Sequence, residues 1–187
     1  MYKEVTGNLI TLAKDGKYDV IAHGCNCFCT MGAGIAPQMA DAFGADKFYM
    51  EDEAYAGDIN KLGTIEYQTL VLGKNAIWNL LDADNKENEP ELTVVNAYTQ
   101  FDLGRNHKDG KSAPVDYEAV RLCMKKMNYM FKGKHIGLPQ IGAGLAGGDW
   151  ETIKAIIQEE LTDVDVTVVI YDAPVAKPTG KVKLFKY

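Results

Sequence analysis

Two glycine-rich stretches hold most of the residues able to do chemistry. The first is His23-Gly24-Cys25-Asn26-Cys27-Phe28-Cys29-Thr30-Met31-Gly32-Ala33-Gly34-Ile35-Ala36. The second is Leu138-Pro139-Gln140-Ile141-Gly142-Ala143-Gly144-Leu145-Ala146-Gly147-Gly148-Asp149-Trp150. Each follows a short apolar run and leads into a helical pattern. Glycine admits positive φ and close backbone approach, so N–H groups can converge on an anion. The helix that follows adds the positive end of its dipole. Two such loops with polar side chains beside them point to a phosphate-bearing ligand; the alternative is two tight turns with none. Neither loop is a Walker A motif, because no Gly-Lys-Ser/Thr follows. Gly142, Gly144 and Gly147 match a dinucleotide spacing, but no acidic strand end follows about 20 residues later.

The first stretch also alternates His23, Cys25, Cys27 and Cys29. Structural zinc favours two to four residues between thiolates, which lets a turn bring them to one ion. Neighbours two apart on an extended strand sit about 6.5 Å apart at Cα, with no turn to close the gap. The expectation is therefore no metal, no cofactor and no disulfide, with thiols that act as small buried hydrophobes. His107 in a polar loop and His135 at a strand start read as surface or core residues.

Elements must position these loops, and the chain is long enough to supply them. Its 187 residues carry 20 basic and 26 acidic side chains, a net charge of -6. That length fits one domain, taken as residues 1–187 with a core of 1–173 and a lysine-containing tail of 174–187. A hydrophobic share of 47% excludes a disordered chain. The acidic balance argues against a nucleic-acid binder. No apolar run reaches the roughly 20 residues of a membrane span, and the first residues lack a signal region. A cytosolic monomer with a small-molecule partner is expected.

Apolar runs alternate with helical patterns, the mark of an α/β fold. Strands are expected at Asp19–His23, Thr64–Gln68, Ala76–Leu80, Thr93–Ala97, Lys134–Leu138 and Val164–Tyr171. Helices are expected over Ile35–Phe43, Asp116–Phe131 and Trp150–Leu161. Ile35, Met39, Ala42 and Phe43 share one face of the first helix. Val120, Met124, Met127 and Phe131 share one side of the second. The segments 82–91 and 104–113 read as polar loops.

His23-Gly24-Cys25-Asn26, Met31-Gly32-Ala33-Gly34-Ile35-Ala36 and Leu138-Pro139-Gln140-Ile141-Gly142-Ala143-Gly144-Leu145 together resemble the macro domain family, which binds ADP-ribose. The resemblance spans most of the chain, from Val5-Thr6-Gly7-Asn8-Leu9 to Val168-Val169-Ile170-Tyr171. It is closest to the branch of ADP-ribose 1″-phosphate phosphatases of yeast and bacteriophages. It implies a three-layer α/β/α sandwich around a mixed, mostly parallel sheet, with ADP-ribose in a cleft across the strand ends. Gly7, Asn8 and Leu9 would meet the adenine, Asn8 replacing the Asp of many relatives. Met31, Gly32, Ala33, Gly34, Ile35 and Ala36 would line the pyrophosphate and distal ribose. Gln140, Ile141, Gly142, Ala143, Gly144, Leu145 and Ala146 would embrace the pyrophosphate. Tyr171 would stack on the adenine, or else fill a core edge.

Another branch of the same family removes ADP-ribose from glutamate or thymine. Its reactive Lys aligns with Gln100 and its Asp with Ala146, so that reaction lacks its nucleophile and base here. The phosphatase reading uses His23, Asp149 and Asn26. A histidine can protonate a leaving oxygen or attack phosphorus. Asp149 can orient water or hold the histidine tautomer, and Asn26 can donate to the distal ribose or terminal phosphate. Loop N–H groups would stabilise the transferred phosphoryl group. A structural role for His23 and a helix-capping role for Asp149 stand beside this. A non-catalytic ADP-ribose binding module is the alternative function.

Overall fold

The computed structural model describes residues 1–48, 56–72, 90–102 and 113–172. Its strands are β1 (Tyr2–Gly7), β2 (Val20–Asn26), β3 (Ile65–Val71), β4 (Glu91–Gln100), β5 (His135–Leu138) and β6 (Asp165–Tyr171). Its α-helices are α1 (Leu9–Lys14), α2 (Ala36–Phe43), α3 (Tyr117–Met130) and α4 (Trp150–Glu160). The strands form one sheet in the order β1-β6-β5-β2-β4-β3. All neighbours are parallel except β3 and β4. This is the mixed, mostly parallel α/β sandwich that the sequence implies.

Period-two alternation sorts the strands' side chains onto two faces. Val20, Ala22, Val95, Ala97, Ile136 and Val166 pack with Val120, Met124, Met127, Ile153 and Ile157 of α3 and α4. Ile21, Leu92, Val94 and Val169 pack with Leu9, Ala13, Met39 and Phe43 of α1 and α2. Each such large aliphatic or aromatic side chain contributes on the order of 1.5–3 kcal/mol by leaving water. Because helices cover both faces, β2 and β4 are buried nearly throughout.

Local signals set the helix ends. Pro37 sits in the first turn of α2, where a missing N–H costs nothing. Gly44 ends the helix at φ 68 and donates to Ala40 O at 2.8 Å. Asp116 caps α3 by accepting from Ala119 N at 2.9 Å. The segment 82–91 is corrected at its last residue: Glu91 opens β4 and pairs with Val71. The expected strand Ala76–Leu80, His107, residues 82–89 of the loop, residues 104–112 and the 174–187 tail lie outside the described residues. No helix among the described residues is long and apolar enough to cross a membrane.

Thr99 is fully buried, and its Oγ1 has no hydrogen-bond partner among the described residues. A buried hydroxyl without a partner costs stability, while a methyl of the same shape does not. Thr99→Val is expected to raise the unfolding free energy by about 1 kcal/mol. Denaturant midpoints measure this, and a drop of that size would show that the hydroxyl is satisfied.

Candidate functional site

The loops after β2 and β5 stand side by side, because these strands are parallel neighbours with Val20 opposite Ile136. Their carboxyl ends, with the end of β6, open into one cleft of about 950 Å³. Ligands of open α/β sheets bind in this position. Leu145 bridges the cleft: its Cδ1 lies 3.5 Å from where a Cβ on Gly34 would stand.

Each loop is shaped by its own bonds. Asn26 organises the first: its Oδ1 accepts from Phe28 N at 3.0 Å, Thr30 N at 3.3 Å and Thr30 Oγ1 at 3.1 Å. Its Nδ2 donates to Thr30 O at 2.9 Å. In the second loop Gly148 N donates to Gly142 O at 2.9 Å and Gly147 N to Gly144 O at 3.0 Å. Gly142 takes φ 74, which a side chain would strain. Among the described residues no carbonyl takes the N–H groups of Gly32, Ala33, Gly34, Gly144, Leu145 or Ala146.

The polar side chains lining the cleft are Asn8, Asn26, Thr30, Gln38, Gln100 and Gln140. All are uncharged, and among the described lining residues Tyr171 alone is ionisable. Among the described lining residues an anion therefore meets amide dipoles and no carboxylate, although the chain carries a charge of -6.

Of the expected ligand-contact residues, Asn8, Leu9, Gly32, Ala33, Gly34, Ile35, Ala36, Gln140, Ile141, Gly142, Gly144, Leu145, Ala146 and Tyr171 line the cleft, as does Asn26. Gly7, Met31 and Ala143 do not. A Cβ on Gly7 would face Leu12 and Val169. Met31 packs against the α1–α2 core and Ala143 against the α3–α4 core. Gly24, Gln38 and Pro114 line the cleft without having been singled out as ligand contacts. Gln38 lies one turn beyond Gly34, so its position follows once α2 is placed.

The two side chains expected to act as a catalytic pair are placed apart. His23 is fully buried and does not line the cleft. It lies two residues beyond Ile21, so it points to the α1–α2 side. Its Nε2 is 2.8 Å from Asn96 Oδ1, and Asn96 Nδ2 donates to Ala45 O at 2.7 Å. That second bond fixes the amide's oxygen toward the ring, so Nε2 carries the proton. Burial pushes the His23 pKa down to about 4. Asp149 caps α4 on the other face, its Oδ2 accepting from Thr152 N at 2.8 Å and Thr152 Oγ1 at 2.6 Å. These bonds, the hydroxyl's first, hold its carboxyl below its ordinary value. The sheet stands between the two side chains, so they form no acid–base pair. His135, half-buried, sits with Nε2 2.8 Å from Thr167 Oγ1.

The cysteine segment is extended only as far as Asn26; Cys27 and Phe28 form a turn. All four thiols are free. Burial pushes Cys27 up to about 11 and Cys123 up to about 12, which disfavours thiolates. Among the described residues no three His, Cys, Asp or Glu side chains are grouped to hold a metal ion.

No protein-family model matches the chain. An uncharacterised 17.5 kDa protein from the tk–vs intergenic region of Enterobacteria phage T4 is 30% identical over 178 residues, covering 91% of this chain and 96% of that one. A protein of Lodderomyces elongisporus named ADP-ribose 1″-phosphate phosphatase is 27% identical over 178 residues, covering 91% and 98%. Among solved structures, the macrodomain of Thermus aquaticus DarG superposes with a TM-score of 0.57 at 22% identity, covering 92% of this chain and 98% of that one.

Proposed function

We propose, from its macrodomain fold and its likeness to an ADP-ribose 1″-phosphate phosphatase, that the cleft of this macrodomain binds ADP-ribose or a derivative of it. The observation that carries this is the pair of facing glycine loops, with six N–H groups not engaged by carbonyls among the described residues, in a cleft whose described lining side chains are uncharged. Such loops suit a pyrophosphate. Tyr171, exposed at one end, suits a base, since stacking on an aromatic contributes about 1–3 kcal/mol.

The finer form of this reading is an enzyme that hydrolyses ADP-ribose 1″-phosphate to ADP-ribose and phosphate. Similarity to the fungal phosphatase over 98% of its length supports it. The uncharged side-chain lining favours a second reading, a domain that holds ADP-ribose without cleaving it. Removal of ADP-ribose from a macromolecule has less support, because Gln100 and Ala146 both line the cleft and neither can act as nucleophile or base.

Calorimetry with ADP-ribose and its 1″-phosphate, with phosphate release followed with and without EDTA, tests all of this. Binding with release is expected of the enzyme, and binding without release of the holding domain. Binding of neither ligand would overturn the proposal.

A further inference from the structure

Two features that cost stability meet at one point on the floor of the cleft. The first is Gly24. It is half-buried and lines the cleft, while every other residue of β2 is buried. Its φ is not positive, so the backbone does not demand glycine there. Glycine inside a strand weakens it and marks a place where another group approaches closely. A Cβ on Gly24 would stand 2.9 Å from Thr99 Oγ1 and 3.3 Å from Ile141 Cγ1.

The second is Thr99. It is fully buried, and its Oγ1 has no hydrogen-bond partner among the described residues. Packing asks only for the outline of threonine, which valine supplies without a polar atom. The strand register shifts beside it: Cys25 pairs with Tyr98 and Asn26 with Gln100, so Thr99 is passed over. An extra residue of this kind re-aims a side chain. The hydroxyl lies within hydrogen-bonding distance of the position that a methyl on Gly24 would fill. Ile141 and Gly142, both within 4 Å of that position, also line the cleft.

We infer that Thr99 is a ligand-binding residue reached over Gly24, its hydroxyl donating a hydrogen bond to an oxygen of the bound ligand. The inference rests on the proposed ligand, whose phosphate and ribose oxygens can all accept. Glycine leaves room for such an oxygen to come close to the floor. The bond forms only in the complex, so the hydroxyl contributes to affinity and not to folding. Its cost in the free protein and its gain in the complex therefore have opposite signs.

The test measures ADP-ribose binding by calorimetry, with thermal melts alongside, for the wild type, Thr99→Val and Thr99→Ser. Thr99→Val is expected to melt higher than the wild type yet bind ADP-ribose about tenfold more weakly. Thr99→Ser keeps the hydroxyl and is expected to keep most of the affinity. A residue that merely supports the fold would not move stability and affinity in opposite directions. Unchanged affinity in Thr99→Val, a lower melting temperature in it, or no rescue by serine overturns the inference and leaves the ligand class standing. A wild type that binds neither ADP-ribose nor its 1″-phosphate overturns the ligand reading itself.

Discussion

Lowering the pH from 7 to 4 is expected to remove about 3 kcal/mol of folding stability through His23 alone. In the unfolded chain this imidazole titrates near 6.5, while burial holds it near 4 in the folded one. Between those values the unfolded state binds the extra proton and the folded state does not, so acid favours unfolding. Above pH 6.5 both states are neutral and the contribution is fully present. It is lost progressively as the pH falls, and is gone below about 4. His135, whose pKa is also lowered by burial, acts in the same direction. Glu4, Asp149 and Asp165 are held below their ordinary values by bonds from Tyr2, Thr152 and the N-terminal amine. Their losses begin only near the ordinary carboxylate pKa, so the His23 window stands apart. Denaturant midpoints from pH 7.5 to 4 should show the decline in the wild type and a much shallower one in His23→Gln. An equal slope in both proteins would place the effect elsewhere. At pH 7.5 the same variant should keep its ligand affinity and any phosphate release. A loss of release beyond tenfold in a folded variant would restore His23 to catalysis.

Gly148→Ala is expected to lower stability by about 3 kcal/mol, a fall in melting temperature of about 6–12 °C for a chain of this size. A Cβ there would stand 2.8 Å from Gly142 O, 2.8 Å from Ile153 Cδ1 and 2.9 Å from Val115 Cγ1. The carbonyl belongs to the bond that closes the second loop, so it cannot move aside without opening the turn. Gly144→Ala is the control. Nothing lies within 4 Å of its added methyl, and its melting temperature should stay within about 2 °C of wild type. Equal melts for the two variants would mean that the loop adjusts more easily than this packing allows.

Periodicity made β2 to β6 and the three long helices legible in the sequence. β1 and α1 were not. β1 is an edge strand with Lys3, Glu4 and Thr6 exposed, so no apolar alternation marks it. α1 has six residues, too few to show a helical period. The glycine loops were legible because their composition and their place after strands agree. The misplacement of His23 has a specific cause. β2 is apolar on both faces, so its sequence does not say which alternate residues look toward which helices, and a residue closing such a strand can end in the core. Asp149 was read in both its roles, and the bond to Thr152 shows the cap. Asn8 was matched to the base, but its capping bond to Thr11 becomes visible only once α1 exists.

Asn26 ties the backbone and side chain of the loop that follows it with four bonds inside five residues. The consequence is entropic. Freezing one residue's backbone costs about 1–2 kcal/mol, and for residues 27–30 that cost falls due when the chain folds. An incoming ligand meets a loop already in its bound outline, so its contact energy is not spent on ordering the receptor.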